Sequence, residues 1–225
     1  MQDLAWKEIH KNSQKYGSEL LESFQYKKNN YPVVGDIDIE AFINLSPPRN
    51  HKPIPIQGMT SPPLALTIML DVSASVNAKQ LFLSYTMLFV LLRSFPNATI
   101  IAFSTKAHLI NNTLGQGKLI FQKINHLVQP AYTNICSALH TAWQQPKPHR
   151  TIHILISDGV ANYGKNPTRN DGRKEEIILF SLSKEPVHWI LPYQIFPLYQ
   201  ESDIPLALEG LEDYIFEYAP IWDSS

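Results

Sequence analysis

Hydrophobic and polar positions divide the chain near Leu64. Before it, residues 1–30 mix helix-forming residues with scattered apolar ones such as Trp6, Ile9 and Leu20, and Lys27–Asn30 with Pro32 close that segment. Asp36–Glu40 alternates polar and apolar, as a half-exposed strand does. Pro47, Pro48, Pro53, Pro55, Pro62 and Pro63 then predict an extended strap, because each removes a backbone donor and biases its neighbour away from helix.

From Leu64 onward, short apolar runs alternate with longer periodic stretches. Leu64–Leu70, Thr99–Phe103 and Thr151–Ile156 are apolar almost throughout, which suits strands buried on both faces. His108–Ile110 reads as a further strand beyond a tight turn. Helices are expected over Ala78–Phe95, Lys118–Val128 and Ile135–Gln144, the first stopped by Pro96 and the last by Pro146 and Pro148. Glu175–Leu182 reads as a helix, Val187–Leu191 as a strand, Ile204–Leu211 as a helix and Tyr214–Tyr218 as a last edge strand. The alternation predicts an α/β fold: three layers, doubly wound and Rossmann-like, around a mostly parallel sheet with one antiparallel edge strand. Residues 1–63 form an extension, 64–220 the domain and 221–225 a tail.

Composition narrows the function. Lys and Arg total 19 against 20 Asp and Glu, so the chain lacks the excess charge of a broad nucleic-acid binder, and no nucleic-acid partner is expected. One cysteine, Cys136, rules out an internal disulfide framework and any zinc or iron–sulfur site built from several thiolates. Cys136 itself reads as a small core residue. The eight histidines show no zinc-helix spacing. The first 26 residues have no uninterrupted apolar core, and Tyr85–Leu92 is far short of a membrane span. A soluble, cytoplasmic protein with no membrane partner is the expectation.

The chemistry concentrates at strand ends. Asp71-Val-Ser73-Ala-Ser75, Thr133-Asn134 and Ser157-Asp158-Gly159 each follow a predicted buried strand or open a predicted helix. In an open parallel sheet, such ends form the ligand crevice. Two carboxylates and three hydroxyls are hard oxygen donors, the type that Mg²⁺ and Mn²⁺ prefer. Each group also has a purely structural reading: Asp71 as a helix cap, Thr133 or Asn134 as the next cap, Asp158-Gly159 as a turn.

Asp-x-Ser-x-Ser, an isolated Thr opening a helix and a late Ser-Asp-Gly, in that order, resemble a von Willebrand factor A domain with its metal-ion-dependent adhesion site. The resemblance spans roughly residues 64–220. It implies that Ser73, Ser75 and Thr133 contact a metal through hydroxyls, and that Asp71 and Asp158 act directly or through water. It implies a protein partner whose acidic side chain completes the coordination. Intracellular prokaryotic members often work beside MoxR-type AAA+ ATPases as adaptors or co-chaperones, which makes such an ATPase an expected partner. The chain departs from the commoner pattern at Ala74, Val76 and Ala131-Tyr132, where Tyr132 sets a bulky ring beside the site.

Enzymes are the rival class. A Mg²⁺-dependent phosphotransfer or hydrolytic activity would use the same crevice, but Ser73 stands where a haloacid-dehalogenase-type phosphatase has its second Asp. No Gly-x-Ser-x-Gly elbow or complete phosphate loop occurs. A non-enzymatic interaction module is expected, with a metal-free scaffold as a third reading. The loop after Asp158 carries Asn162, Tyr163, Lys165 and Arg169, groups suited to selecting a partner. Charge is also uneven: Lys147, Arg150, Lys165, Arg169, Arg173 and Lys174 make the middle basic, and no Lys or Arg follows Lys184.

Overall fold

The structure, a computed structural model, describes residues 2–30, 65–111, 116–128, 131–146, 151–165, 176–185 and 194–217. The strand expected at Asp36–Glu40, the strap at 46–63, the strand expected at Val187–Leu191, and Arg169 lie outside the described residues.

Helix α1 spans Gln2–Asn30. Strand β1 (Ala65–Asp71) leads to helix α2 (Ala78–Ser94), strand β2 (Thr99–Phe103) and strand β3 (Ala107–Ile110). Helices α3 (Gly117–Asn125) and α4 (Ile135–Trp143) follow, then strands β4 (Thr151–Ser157), β5 (Glu176–Ser181) and β6 (Gln194–Pro197). A short 3₁₀ turn at Glu201–Asp203 opens helix α5 (Ile204–Glu217).

The six strands lie in the order β3-β2-β1-β4-β5-β6. All neighbours are parallel except β2 and β3, so β3 is the antiparallel edge strand. This is the expected α/β architecture. Its consequence for function lies in the order: the chain winds outward from β1 to β3, then returns to β4 on the other side. That reversal makes the carboxyl ends of β1 and β4 the topological switch point, where open α/β sheets hold their ligands.

Two assignments change. Glu176–Ser181 is a strand, not a helix. Ile177-Ile-Leu-Phe180 is apolar at every position because β5 lies between β4 and β6 and is buried on both faces, so it shows neither period. Conversely, Tyr214-Ile-Phe-Glu217 continues helix α5. The buried residues Ile204, Ala207, Leu208, Leu211, Tyr214 and Ile215 recur at helical spacing, and the brief alternation was the end of that stripe.

The sheet is sandwiched unequally. Ile68, Leu70, Ile100, Ile154, Ile156 and Phe180 pack under α1, α2, α3 and α5. On the opposite face Met69, Ile101, Phe103, Leu155 and Leu179 meet Ile135, Ala138, Leu139 and Ala142 of α4. Helix α1 joins the same core through Ile9, Tyr16 and Leu20. Its Trp6 packs edge-to-face on Phe89, with ring centroids 5.1 Å apart. Tyr16 and Ser23 donate to Glu201 and Glu212, at 3.3 and 2.5 Å, tying α1 to α5 and the turn before it. Among the described residues, no helix is long and apolar enough to cross a membrane.

Candidate metal and interaction site

Asp71 ends β1, and its register neighbour across the switch point is Ser157 at the end of β4, one step beyond the Leu70–Ile156 pair. Past Asp71 the chain turns sharply. Val72 N–H donates to the carbonyl of Phe103 at 2.8 Å, and Ser73 N–H donates back to Asp71 Oδ1 at 3.0 Å. That fold-back brings the side chains of Ser73 and Ser75 together, with 3.0 Å between their oxygens.

The second loop arrives from the α4 side. Ala74 N–H donates to the Ala131 carbonyl at 3.0 Å and Asn134 N–H to the Ser104 carbonyl at 2.8 Å, which fixes Thr133 between them. Thr133 Oγ1 then donates to Ser73 Oγ at 2.7 Å and stands 3.4 Å from Ser75 Oγ. Three hydroxyls from two loops thus form one triangle. Ser73 and Thr133 are buried and Ser75 is exposed, so the triangle opens to solvent on the Ser75 side.

Neither loop spends these groups on helix ends. Asn77 caps α2, accepting from Lys79 and Gln80 N–H, while Gln80 returns a bond to the Asn77 backbone. Asn134 caps α4, accepting from Ser137 N–H at 3.0 Å. The capping explanation therefore fails for Asp71 and Thr133 and holds for Asn134. Asp158 does serve a turn: its Oδ1 accepts from Val160 N–H at 3.0 Å, and Gly159 adopts a φ of 77°, a conformation that favours glycine.

Asp71 is fully buried. Burial pushes its pKa up to about 6, opposed by the hydrogen bonds from Ser157 and Ser73 and reinforced by the like charge of Asp158. Ser157, which had no assigned role, holds Asp71 directly. Its hydroxyl donates to Asp71 Oδ2 at 2.6 Å and accepts from Gly159 N–H at 3.0 Å.

The loop after β4 is tied to the Thr133 loop on both sides. Thr133 N–H donates to Asn162 Oδ1 at 2.7 Å, and the N–H groups of Asn162 and Tyr163 both reach the Thr133 carbonyl, at 3.2 and 3.1 Å. Asn162, expected to face a partner, thus has its side-chain oxygen engaged within the chain. Gly164, at a φ of +80°, lies against Asn134, and a Cβ there would sit 3.0 Å from Asn134 Oδ1. Cys136 Sγ donates to the Lys165 carbonyl at 2.9 Å, so this half-buried thiol holds the loop. Tyr163 and Lys165 are exposed.

The donor set suits a hard divalent cation. Asp71 is joined to the hydroxyl triangle through Ser73, and Asp158 acts on it as a like charge. A bound cation would relieve that repulsion and the cost of burying a carboxylate.

No family model matches the chain, and no curated protein does. Solved structures give partial likenesses. An aerotolerance-related membrane protein from Bacteroides fragilis is 17% identical over 53% of this chain and 67% of that one, with a TM-score of 0.44. The conserved hypothetical protein BatB from Bacteroides thetaiotaomicron is 14% identical over 70% of this chain and 99% of its own, with a TM-score of 0.49. The PilB minor pilin from Streptococcus sanguinis is 14% identical over 73% and 63%, with a TM-score of 0.43. Likenesses at this level say nothing about family, activity or partner.

Proposed function

We propose that the chain is a divalent-metal-dependent protein-interaction module of the von Willebrand factor A type. Asp71, Ser73, Ser75, Thr133 and Asp158 would hold Mg²⁺ or Mn²⁺. The observation that carries the reading is the hydroxyl triangle of Ser73, Ser75 and Thr133 beside two carboxylates at the sheet's switch point, with the helix caps supplied by other residues. Bound metal supplies a Lewis-acidic centre that accepts a carboxylate. The chain's own part is to hold the oxygens in place: Ser157 fixes Asp71, and Asn162 fixes Thr133. Asp71 is fully buried with both oxygens engaged, which suits a ligand more than a nucleophile. The partner would present an acidic side chain to the exposed Ser75 side. A MoxR-type AAA+ ATPase is the partner class the sequence resemblance favours.

Isothermal titration with Mg²⁺ and Mn²⁺ tests the metal. Wild type should bind one ion, and Asp158→Ala should bind neither ion measurably. No binding by the folded wild type would overturn the reading in favour of a metal-free scaffold. Co-purification with an AAA+ ATPase in Mg²⁺, lost in EDTA, tests the partner.

A further inference from the structure

Tyr132 and Tyr163 lie on different loops, yet their rings stack, with centroids 6.0 Å apart and planes 8° from parallel. Both are exposed, at 63% and 49%. Tyrosine is enriched at binding hot spots, and here two of its rings lie together. The pair is also held in place. The residues next to each ring are joined by the bonds between Asn162, Tyr163 and Thr133, and Thr105 Oγ1 donates to the Tyr132 carbonyl at 3.4 Å. A platform ordered before binding loses little conformational entropy when it is used. Tyr132 directly precedes Thr133, so the platform borders the hydroxyl triangle. Val160, on the same loop as Tyr163, is also exposed.

Charge defines what this platform would accept. Lys165 is exposed two residues beyond Tyr163, and exposed Lys106 follows Thr105, which touches the Tyr132 carbonyl. The described carboxylates of the site, Asp71 and Asp158, are buried beneath. The segments that carry the stacked rings and their anchor thus also carry exposed cations.

We infer that Tyr132 and Tyr163 are the docking platform for a partner segment that places an aromatic side chain next to its acidic residue. The carboxylate goes to the metal, the ring packs on the outer face of the tyrosine stack, and further acids in the segment meet Lys106 and Lys165. This inference rests on the metal-dependent reading of the site for the carboxylate, while the aromatic preference depends on the platform alone.

The test is a random-peptide phage library panned on the full chain in Mg²⁺ and in EDTA. Binding of the selected peptides is then measured by fluorescence anisotropy. Enriched peptides should carry Asp or Glu within a few residues of Phe, Tyr or Trp. Tyr132→Ala and Tyr163→Ala should each weaken such a peptide about 10-fold, whereas Phe at either position should retain binding. Both side chains are exposed, so the alanine variants should keep the wild-type thermal unfolding curve. No enriched peptide, acidic peptides without an aromatic preference, or unchanged affinity in the double alanine variant would overturn the inference. Metal-dependent enrichment of acids with no aromatic preference would sink the platform and leave the metal reading standing. An aromatic preference that disappears in the double variant but ignores EDTA would do the reverse. Sedimentation showing a dimer of the wild type that the alanine variants lose would assign the surface to a second copy of the chain and also overturn the inference.

Discussion

Replacing Asp71 by Asn separates the cost of the site from its use. The carboxyl is fully buried, and that burial pushes its pKa up to about 6 from the ordinary 3.8. A folded-state pKa above the unfolded one means the metal-free folded protein holds this proton more tightly than the unfolded chain does. The group therefore contributes stability as pH falls through about 6, and that contribution is lost again as pH rises through it. The gap corresponds to about 3 kcal/mol in full, of which about 1 kcal/mol appears between pH 7 and pH 5. In Asp71→Asn the amide oxygen keeps the bond from Ser73 N–H. The amide nitrogen faces Ser157 Oγ, whose own hydrogen then loses its acceptor at a cost of about 1 kcal/mol. Urea unfolding in EDTA at pH 7 and pH 5 reads the balance. At pH 7 the variant should be at least as stable as wild type. On going to pH 5 wild type should gain about 1 kcal/mol relative to the variant. Adding Mg²⁺ at pH 7 should stabilise wild type alone. Equal pH dependence in the two proteins would refute the buried-charge reasoning, and equal stabilisation by Mg²⁺ would refute the assignment of Asp71 as a ligand.

Three further outcomes follow from the same geometry. Thr133→Val removes one hydroxyl of the triangle at nearly constant shape. It should abolish the rise in melting temperature caused by Mg²⁺, a rise worth about 2.7 kcal/mol at a hundredfold excess over Kd. Asn162→Ala leaves the Thr133 N–H without its 2.7 Å acceptor, which should cost about 1–3 kcal/mol by chemical denaturation and speed amide exchange at Thr133. Gly164→Ala forces a side chain into a positive φ and against Asn134, so it should destabilise by about 1 kcal/mol or more. Its effect should be smaller in an Asn134→Ala background, a coupling that a double-mutant cycle would measure.

Much of this was legible in residue order. Runs that are apolar apart from Thr67, Thr151 and His153, leading into Asp71 and Ser157, announce buried parallel strands, and the polar residues beyond them mark the crevice. The strand β5 is hidden in the sequence because four consecutive apolar residues carry no period. The end of α5 is hidden because five residues are too few to separate alternation from a helical stripe. What composition could not supply was pairing. That Ser157 faces Asp71 depends on β1 and β4 being neighbours, and that Asn162 grips Thr133 depends on two loops meeting across 29 positions of sequence. The stacked tyrosines were likewise invisible, since Tyr132 and Tyr163 meet only once those loops are joined.

The separate cap of α2 has a mechanical consequence. Because Asn77 and Gln80 close that helix without help from Ser73 or Ser75, the cap of α2 does not depend on the hydroxyl triangle. The other half of the site is coupled differently. Thr133 adjoins Asn134, whose side chain caps α4, reaches the Thr105 carbonyl at 3.3 Å and abuts Gly164. A displacement there pulls on α4 itself, the described helix that covers its own face of the sheet. The two halves of the site thus differ: one leaves the cap of its helix independent of the hydroxyls, and the other places Thr133 directly beside the residue that caps α4.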